Sequence, residues 1–209
     1  MTPLSAPWRA ALEEAWTAYQ EDSLPIGACV ADASGKVLAR GRNRLGDERR
    51  VDGVIGGHDL AHAEINALLA LQSTPRPDCY GWTVYTTVEP CPQCAGAVVM
   101  SGVRGLSYAA PDPWAGCAEL LTTHPYMVGK KMRVERAPEA LIRACLVLIV
   151  HALMEEGKPI MGEVVGSFAA RHPAEVGRAA QLHETGTLQD LRECRAGLDE
   201  VLAALTRRV

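Results

Sequence analysis

Two short motifs constrain this chain more than any other feature of its sequence. The first is His62-Ala63-Glu64, and the second, 25 residues further on, is Pro90-Cys91-Pro92-Gln93-Cys94. One imidazole and two thiolates suit a tetrahedral Zn²⁺ whose fourth position stays open for water, which is typical of catalytic rather than structural zinc sites. A Cys-x-x-Cys motif can alternatively be a redox pair or half of a structural zinc site. A redox pair does not need the His-x-Glu motif, and the chain has no second Cys-x-x-Cys. The sequence therefore favours a catalytic zinc site.

The local sequence places both motifs at the beginning of helices. Cys91 and Cys94 are three residues apart and so share a helix face, and proline suits the first turn of a helix. The positive end of a helix that begins at residue 91 would stabilise two thiolates. His62 and Glu64 are two residues apart and do not share a face. We therefore expect His62 to begin a helix over residues 61–71 and to ligate the metal, while Glu64 reaches past it from the first turn.

The periodicity of apolar residues predicts an α/β domain followed by a helical tail. We expect helices over 7–21, 61–71 (before Pro75 and Pro77), 91–101, about 116–122 and 138–156. We expect strands over 28–33, 36–42, 82–88 (fully buried), 103–109 and 132–137. One loop is expected over 46–59 and another through His124 and Pro125. Alternating strands and helices predict a mainly parallel sheet in three layers. We take 1–156 as one domain and 157–209 as a helical extension. The extension is expected to hold two or three helices, one beginning near 172 and ending near Gly186, with an apolar stripe formed by Leu188, Leu191, Leu198, Leu202 and Leu205. It is interpreted as a hairpin that packs on the domain or across a dimer; a lid or partner-binding element is the alternative.

Composition narrows the class of partner. The net charge of the 209-residue chain is −4 and no Lys/Arg-rich run is present, which argues against a large nucleic-acid surface. No signal peptide is recognisable, and the longest apolar stretch, 144–154, is too short to span a membrane. Seven cysteines, an odd number, indicate a reducing compartment, so we expect a cytoplasmic protein without membrane association. The five cysteines outside the metal motif (Cys29, Cys79, Cys117, Cys145 and Cys194) are interpreted as small core residues.

From about residue 8 to about residue 155 the chain resembles the cytidine/deoxycytidylate deaminase superfamily. Within it, the chain is most similar to the branch that holds tRNA adenosine deaminases, guanine deaminases and fungal-type cytosine deaminases. The strings that carry the resemblance are Pro25-Ile26-Gly27-Ala28, 39–44 (ARGRNR), 62–68 (HAEINAL) and 87–97 (TVEPCPQCAGA). The resemblance implies a three-layer α/β/α cytidine-deaminase-like domain with a five-stranded mixed sheet. It also implies a Zn²⁺ cofactor and a homodimer. The tail 157–209 has no counterpart in the compact family domain.

The resemblance also assigns roles to residues. Glu64 would move protons between water, a ring nitrogen and the leaving amine, since zinc-activated water needs a partner for proton transfer; the alternative is a carboxylate that only stabilises a helix N-terminus. Asn43 would hydrogen-bond the substrate ring, although an Asn before a turn is also ordinary turn chemistry. The backbone N–H of Ala63 would meet the base, and Asp112 would supply an acidic contact. Trp114 would stack on the base, or else be a buried core residue.

Two departures from the tRNA enzymes favour a small substrate. Residues 113–118 replace the Lys- and Gly-containing segment of those enzymes, and residues 141–154 carry one basic residue, Arg143, where their last helix is rich in basic residues. We therefore predict deamination of a free nucleobase, a nucleoside or a related amino-heterocycle, with a purine slightly favoured over cytosine, and no nucleic-acid partner. The alternatives are a tRNA adenosine-to-inosine deaminase and, from another class, a non-catalytic zinc-stabilised binding module.

Overall fold

A computed structural model describes residues 4–71 and 78–207 of the chain. In these residues the strands are β1 Gly27–Ala31, β2 Val37–Arg42, β3 Arg50–Val51, β4 Ile55–Gly56, β5 Thr83–Val88, β6 Gly105–Ala110 and β7 Arg133–Arg136. The helices are α1 Ala6–Gln20, α2 Ala63–Leu69, α3 Pro92–Met100, α4 Leu120–Thr123, α5 Pro125–Val128, α6 Glu139–Glu155, α7 Pro159–Arg171, α8 Pro173–Glu184, α9 Thr187–Glu193 and α10 Leu198–Thr206. Pro75 and Pro77, expected to follow the second helix, lie outside the described residues.

Five strands form one mixed sheet in the order β2-β1-β5-β6-β7. β1 pairs antiparallel with both β2 and β5. β5, β6 and β7 then run parallel to one another. Parallel neighbours need a crossover connection, which α3 supplies between β5 and β6, so the beginning of α3 lies at the carboxyl end of β5.

Helices cover both faces of this sheet. One face packs on α2 and α3, with Val30, Val84 and Leu106 among the buried strand residues there. The other face packs on α1 and α6, to which β1 contributes Cys29. Successive strand residues point to opposite faces, so Cys29 and Val30 lie in different cores. The predicted three-layer α/β/α arrangement with a five-stranded mixed sheet is confirmed.

Two glycines allow helices to lie directly on the antiparallel strands. A Cβ at Gly41 in β2 would lie 2.2 Å from the Ala67 nitrogen of α2 and 2.4 Å from the Ala63 carbonyl oxygen. A Cβ at Gly27 in β1 would lie 2.1 Å from the Ala11 carbonyl oxygen of α1. Both separations are far below van der Waals contact, so only glycine permits this packing. The first of the two sets the distance of α2, which carries Glu64, from the sheet.

Several local predictions were wrong. The predicted loop over 46–59 contains the two-stranded ribbon β3–β4, and the expected loop after residue 122 contains α5, which begins at Pro125. Thr83 and Tyr85 of the supposedly fully buried strand are only partly buried. Of the five remaining cysteines, Cys29 and Cys145 are buried, whereas Cys194 is exposed and Cys79 and Cys117 are intermediate.

Within its described residues, 157–207, the tail holds four helices, α7 to α10, rather than two or three. The predicted single apolar stripe is divided between α9 and α10, because Gly197 precedes a new helix at Leu198. Phe168 of α7, Leu182 of α8 and Val201 of α10 belong to the same buried cluster as α1 and α6. Among the described residues, no helix is both long enough and apolar enough to cross a membrane.

Candidate metal centre and active site

The two motifs meet at the beginnings of α2 and α3. His62 and Cys91 each immediately precede a helix, with extended backbone angles of φ −77°, ψ 154° and φ −70°, ψ 173°. Cys94 lies in the first turn of α3, which Pro92 begins. The His62 Nδ1 atom is 3.4 Å from the sulfur of Cys91 and 3.4 Å from that of Cys94. Ligands bonded to Zn²⁺ at ~2.1 Å (nitrogen) and ~2.3 Å (sulfur) lie about 3.5 Å apart in a tetrahedron, so these three atoms fit one ion.

The protonation of the thiols also suits a metal ion. The hydrogen bond from Cys94 has the largest effect on the Cys91 thiol. Together with a hydrogen bond from His62 it lowers the pKa of Cys91 to about 4. The hydrogen bond to Cys91, burial and the nearby Glu64 carboxylate raise the pKa of Cys94. The pKa values of the two thiols are thus shifted in opposite directions when no cation is bound. A divalent cation would stabilise both thiolates, because metal ligation requires deprotonated sulfur.

Glu64 lies beside the cluster and is almost completely buried, at 3% exposure. Burial is the largest influence and raises its pKa, while hydrogen bonds from its own backbone N–H and from Cys94 act in the opposite direction. The Thr86 hydroxyl of β5 donates a hydrogen bond to Glu64 Oε1 at 3.0 Å. A carboxyl group whose pKa is raised above its ordinary value is suited to general acid–base catalysis. The helix-terminus interpretation alone does not require this burial.

Ala63 lies within the metal motif. Asn43 precedes Arg44, whose N–H donates a hydrogen bond to the carbonyl of Ala61, next to that motif, at 2.9 Å. Asn43 follows β2, is 2% exposed and accepts a hydrogen bond from the Leu45 N–H through Oδ1 at 3.0 Å. Among the described residues its Nδ2 donates no hydrogen bond. The turn therefore uses only the Oδ1 atom of this side chain. Ala63 is fully buried as the first residue of α2, a position whose N–H has no partner within the helix.

Asp112 and Trp114 lie on the segment after β6. The Asp112 Oδ1 atom accepts hydrogen bonds from the N–H groups of Trp114 at 2.9 Å and Ala115 at 3.0 Å, so this carboxylate stabilises a turn. Trp114 is 51% exposed, so the alternative of a core tryptophan is wrong. Within residues 4–71 and 78–207, no hydrogen bond joins either side chain to the metal cluster. Asp112 instead lines a separate cavity of about 470 Å³ together with Glu89, Arg136 and Arg171.

Comparison with known proteins agrees with the motifs. The family model described as "Cytidine and deoxycytidylate deaminase zinc-binding region" matches residues 1–110. The chain belongs to this family. Its resemblance to the deaminases is therefore confirmed, and so is the expected Zn²⁺ cofactor of the family. His62, Cys91 and Cys94 form a cluster that could hold such an ion.

Individual relatives of this deaminase-family chain differ in substrate. The "tRNA-specific adenosine deaminase" of Bacillus subtilis (strain 168) is 36% identical over 114 residues, which are 54% of this chain and 65% of that protein. The chain thus covers less than two thirds of that relative. A structure described as a study of A-to-I editing by tRNA:A34 deaminases has a TM-score of 0.53 at 28% identity and covers 68% of this chain and 99% of that one. The guanine deaminase from Nitrosomonas europaea shares the fold, with a TM-score of 0.52 at 24% identity over 73% of this chain and 85% of that one.

Two further residues of this deaminase-family site were missed by the sequence analysis. Asn66 of α2 is 2% exposed, accepts a hydrogen bond from the Ile55 N–H at 2.8 Å and donates to the carbonyls of Ile55 and Arg42. It thereby fixes the β3–β4 ribbon to the metal-bearing helix. Glu89 accepts hydrogen bonds from the N–H groups of Asp112 at 3.2 Å and Ala118 at 3.1 Å. Both residues lie inside the resembling strings, but their partners are distant in sequence and no spacing rule identifies them.

Proposed function

We propose that this chain is a zinc-dependent hydrolytic deaminase that converts a ring amino group to a carbonyl and releases ammonia. The observation that carries the proposal is the burial of Glu64 against the His62, Cys91 and Cys94 cluster. A site that only stabilised the fold would not need a carboxylate there, because a buried carboxylate is costly unless it has partners or a function. The non-catalytic binding module is disfavoured for the same reason.

The residues divide the work as follows. His62, Cys91 and Cys94 would hold the ion, which when bound acts as a Lewis acid that makes water nucleophilic at neutral pH. Glu64 accepts a proton from the attacking water, passes it to the ring nitrogen and delivers a proton to the departing amine. Water and the amino-heterocycle are thereby converted to a carbonyl and ammonia. Asn43 Nδ2 and the Ala63 N–H would orient the ring.

We propose a free nucleobase, a nucleoside or a related amino-heterocycle as the substrate, with a purine slightly favoured. The support comes from α6, which is a candidate nucleic-acid surface by its position in the family. Twelve of its 17 residues are buried, and α7, α8 and α10 pack against it. RNA binding depends on exposed Lys and Arg that contact phosphates, and residues 141–154 offer only Arg143.

A tRNA adenosine deaminase is the second candidate, and the 36% identity to the Bacillus subtilis enzyme favours it. Exposed Arg49 and Arg50 beside the β3–β4 ribbon are available for phosphate contacts. The two candidates differ in their dependence on salt, since each neutralised phosphate releases counterions when RNA binds. A deaminase acting on a neutral free base would show almost no such dependence.

The test is ammonia release from cytosine, adenine, guanine, their nucleosides and a tRNA anticodon stem-loop, with Glu64→Gln as the matched control. Ammonia release from a small molecule by the wild type, with no release by a Glu64→Gln variant that retains its metal, would support the proposal. Release from the stem-loop alone, with a rate that falls steeply between about 50 and 200 mM salt, would establish the second candidate instead. Equal turnover by the Glu64→Gln variant would contradict deaminase catalysis by this site.

A further inference from the structure

A second group of potential metal ligands lies where the tail meets the deaminase domain. His151 and Glu155 are four residues apart on α6 and so share a helix face, and His183 projects from α8. The ligand atoms of the three side chains all lie within 4.8 Å of one another. His151 Nδ1 is 3.5 Å from Glu155 Oε2, and the two imidazole rings are 5.5 Å apart at an interplanar angle of 72°. These residues are remote in sequence from the metal motif of α2 and α3.

His151 is the residue that needs an explanation. Its side chain is fully buried, at 0% exposure, and neither Nδ1 nor Nε2 has a hydrogen-bond partner among the described residues. Buried polar atoms are nearly always hydrogen-bonded, and an exception calls for an unrecognised ligand, water or ion. In the sequence this histidine lies within the apolar stretch 144–154, where no neighbouring residue marks it as a ligand.

The carboxylate of Glu155 is already oriented. Gln189 Nε2 donates a hydrogen bond to its Oε1 at 2.7 Å, and the Tyr19 hydroxyl donates to its Oε2 at 2.7 Å. Carboxylates and imidazoles that bind metals are usually held by such outer hydrogen bonds, which fix the direction of the ligand atoms. α1, α6 and α9 therefore hold the carboxylate beside the buried imidazole.

We propose that His151, Glu155 and His183 bind a divalent first-row transition-metal ion such as Zn²⁺, at a site distinct from the catalytic cluster. Two imidazoles and one carboxylate are a donor set that zinc uses with a fourth position left to water, whereas Ca²⁺ and Mg²⁺ prefer oxygen ligands. Ligands at ~2.1 Å from a tetrahedral ion are about 3.4 Å apart, close to the observed 3.5 Å between His151 and Glu155. His183 is exposed and gives the ion a route from solvent.

Such an ion joins the domain to its tail. Two of the ligands belong to α6, the last helix of the predicted domain 1–156, and the third belongs to α8 of the extension. Because the ion binds the folded chain and not two separated helices, it stabilises the docked arrangement by an amount that grows with the logarithm of its concentration above the dissociation constant. Turnover of substrate plays no part in this argument.

The experiment counts ions on the purified full-length chain after chelation and titration with Zn²⁺, by elemental analysis. We expect two ions per chain in the wild type, and one in His183→Ala and one in Glu155→Gln, with affinity for the second ion lowered at least a hundredfold. His62→Ala should also keep one. His124→Ala, which removes an exposed histidine outside both clusters, is the matched control and should keep two. Because Glu155→Gln retains the shape of the side chain, loss of folding does not explain its result.

Cobalt and thermal unfolding provide independent readouts. With Co²⁺, one equivalent should produce the thiolate-to-metal absorption of a cysteine site, and the second should bind without it. Excess Zn²⁺ at a hundredfold above the dissociation constant of the second site should raise the Tm of Cys91→Ser by about 5–10 °C, and that rise should vanish when His183→Ala is added. One ion per wild-type chain, two ions in His183→Ala, or loss of an ion in His124→Ala would each overturn the proposal.

Discussion

Thr86 reaches the proposed general acid–base residue from the strand that lies beneath it. Its hydroxyl is fully buried and lies 3.0 Å from Glu64 Oε1 and 3.2 Å from the Val88 carbonyl oxygen. A hydroxyl has one proton to donate, so the position of Glu64 depends on which acceptor receives it. Thr86 is therefore a positioning residue for Glu64 in the proposed reaction.

Thr86→Val keeps the shape of the side chain and removes this hydrogen bond. We expect kcat of the active substrate to fall about tenfold, the scale of one lost hydrogen bond to a charged group. Metal content and KM should stay unchanged, since neither depends on this hydroxyl. Thr87→Val, which removes the neighbouring hydroxyl that accepts the Gly27 N–H, is the control and should cost stability but not kcat. Equal kcat losses in the two variants would contradict the positioning role.

Trp114 offers a different test, because its side chain is half exposed and buries little against the protein. Trp114→Ala should change the free energy of unfolding by less than about 0.5 kcal/mol. If the indole stacks on the substrate, KM should rise about tenfold, the effect of ~1.4 kcal/mol of lost stacking. Trp82→Ala, which removes a tryptophan packed against the core of α2 and α3, should instead lower stability. An unchanged KM in Trp114→Ala would remove Trp114 from the substrate contacts.

At this scale the chemistry-bearing residues were predictable because their roles depend on neighbours in sequence. His62 and Glu64, and Cys91 and Cys94, are separated by two and three residues at helix starts. Asn66, Thr86 and the buried His151 were not found. The partners of Asn66 and Thr86 come from other elements, as does His183 beside His151, and no local pattern encodes a contact across 11 or 22 residues.

The turn between β2 and the β3–β4 ribbon is held by one largely buried ion pair. Arg42 Nη1 and Nη2 donate to Asp47 Oδ1 and Oδ2 at 2.8 and 2.9 Å, and the two side chains are only 10% and 15% exposed. Arg44 donates to the same carboxylate at 2.8 Å. Loss of one partner of a buried pair leaves the other charge uncompensated. The turn therefore depends on Asp47.

Asp47→Ala should lower the free energy of unfolding by about 3 kcal/mol. Glu13→Ala is the matched control, since it breaks the Arg40–Glu13 pair, whose side chains are 46% and 37% exposed. That exposed pair should contribute less than about 1 kcal/mol. Urea unfolding at low and high salt would measure both values. Similar losses for the two variants would show that burial does not determine the contribution of the Asp47 pair.

At the scale of elements, long periodic segments were predicted well and short ones were not. α1, α6 and the central strands were found because their apolar residues recur over several turns or pleats. The ribbon has two residues in each strand and α5 has four residues, which is too short for any period to be visible. The tail was assigned too few helices because its apolar positions continue across Gly197, where the chain turns into α10.

At the scale of the whole molecule, the tail and the domain share one core. The Trp16 indole N–H of α1 donates a hydrogen bond to the Ala196 carbonyl between α9 and α10, at 2.8 Å. α6 contacts α7, α8 and α10 as well as the sheet. Residues of 1–156 and of 157–209 thus belong to one buried cluster. The predicted helix 138–156 and the extent of the family resemblance placed the boundary at residue 156, but they could not show how much apolar surface the two parts bury together.

Truncation after Glu156 tests whether residues 1–156 fold alone. It would expose the face of α6 that α7, α8 and α10 cover. We expect the truncated chain to lose its cooperative thermal transition and to bind hydrophobic dyes, because large exposed apolar patches favour aggregation. A truncated chain with the Tm and catalytic metal content of the full chain would show instead that the domain is independent of its tail.

A single substitution makes the same test without removing any element. Phe168 of α7 is 1% exposed in the shared core, whereas Ile160 on the same helix is 44% exposed. Phe168→Ala should lower the free energy of unfolding by about 3–5 kcal/mol, and Ile160→Ala by less than about 1 kcal/mol. All four tryptophans precede residue 157. Fluorescence measured in a Trp16→Phe background, which lacks the indole bonded to Ala196 of the tail, therefore reports on the domain, while circular dichroism reports on every helix. If tail and domain unfold as one unit, both signals shift together to the same lower midpoint in Phe168→Ala. If the circular dichroism midpoint falls while the fluorescence midpoint keeps its wild-type value, the tail is a separate unit.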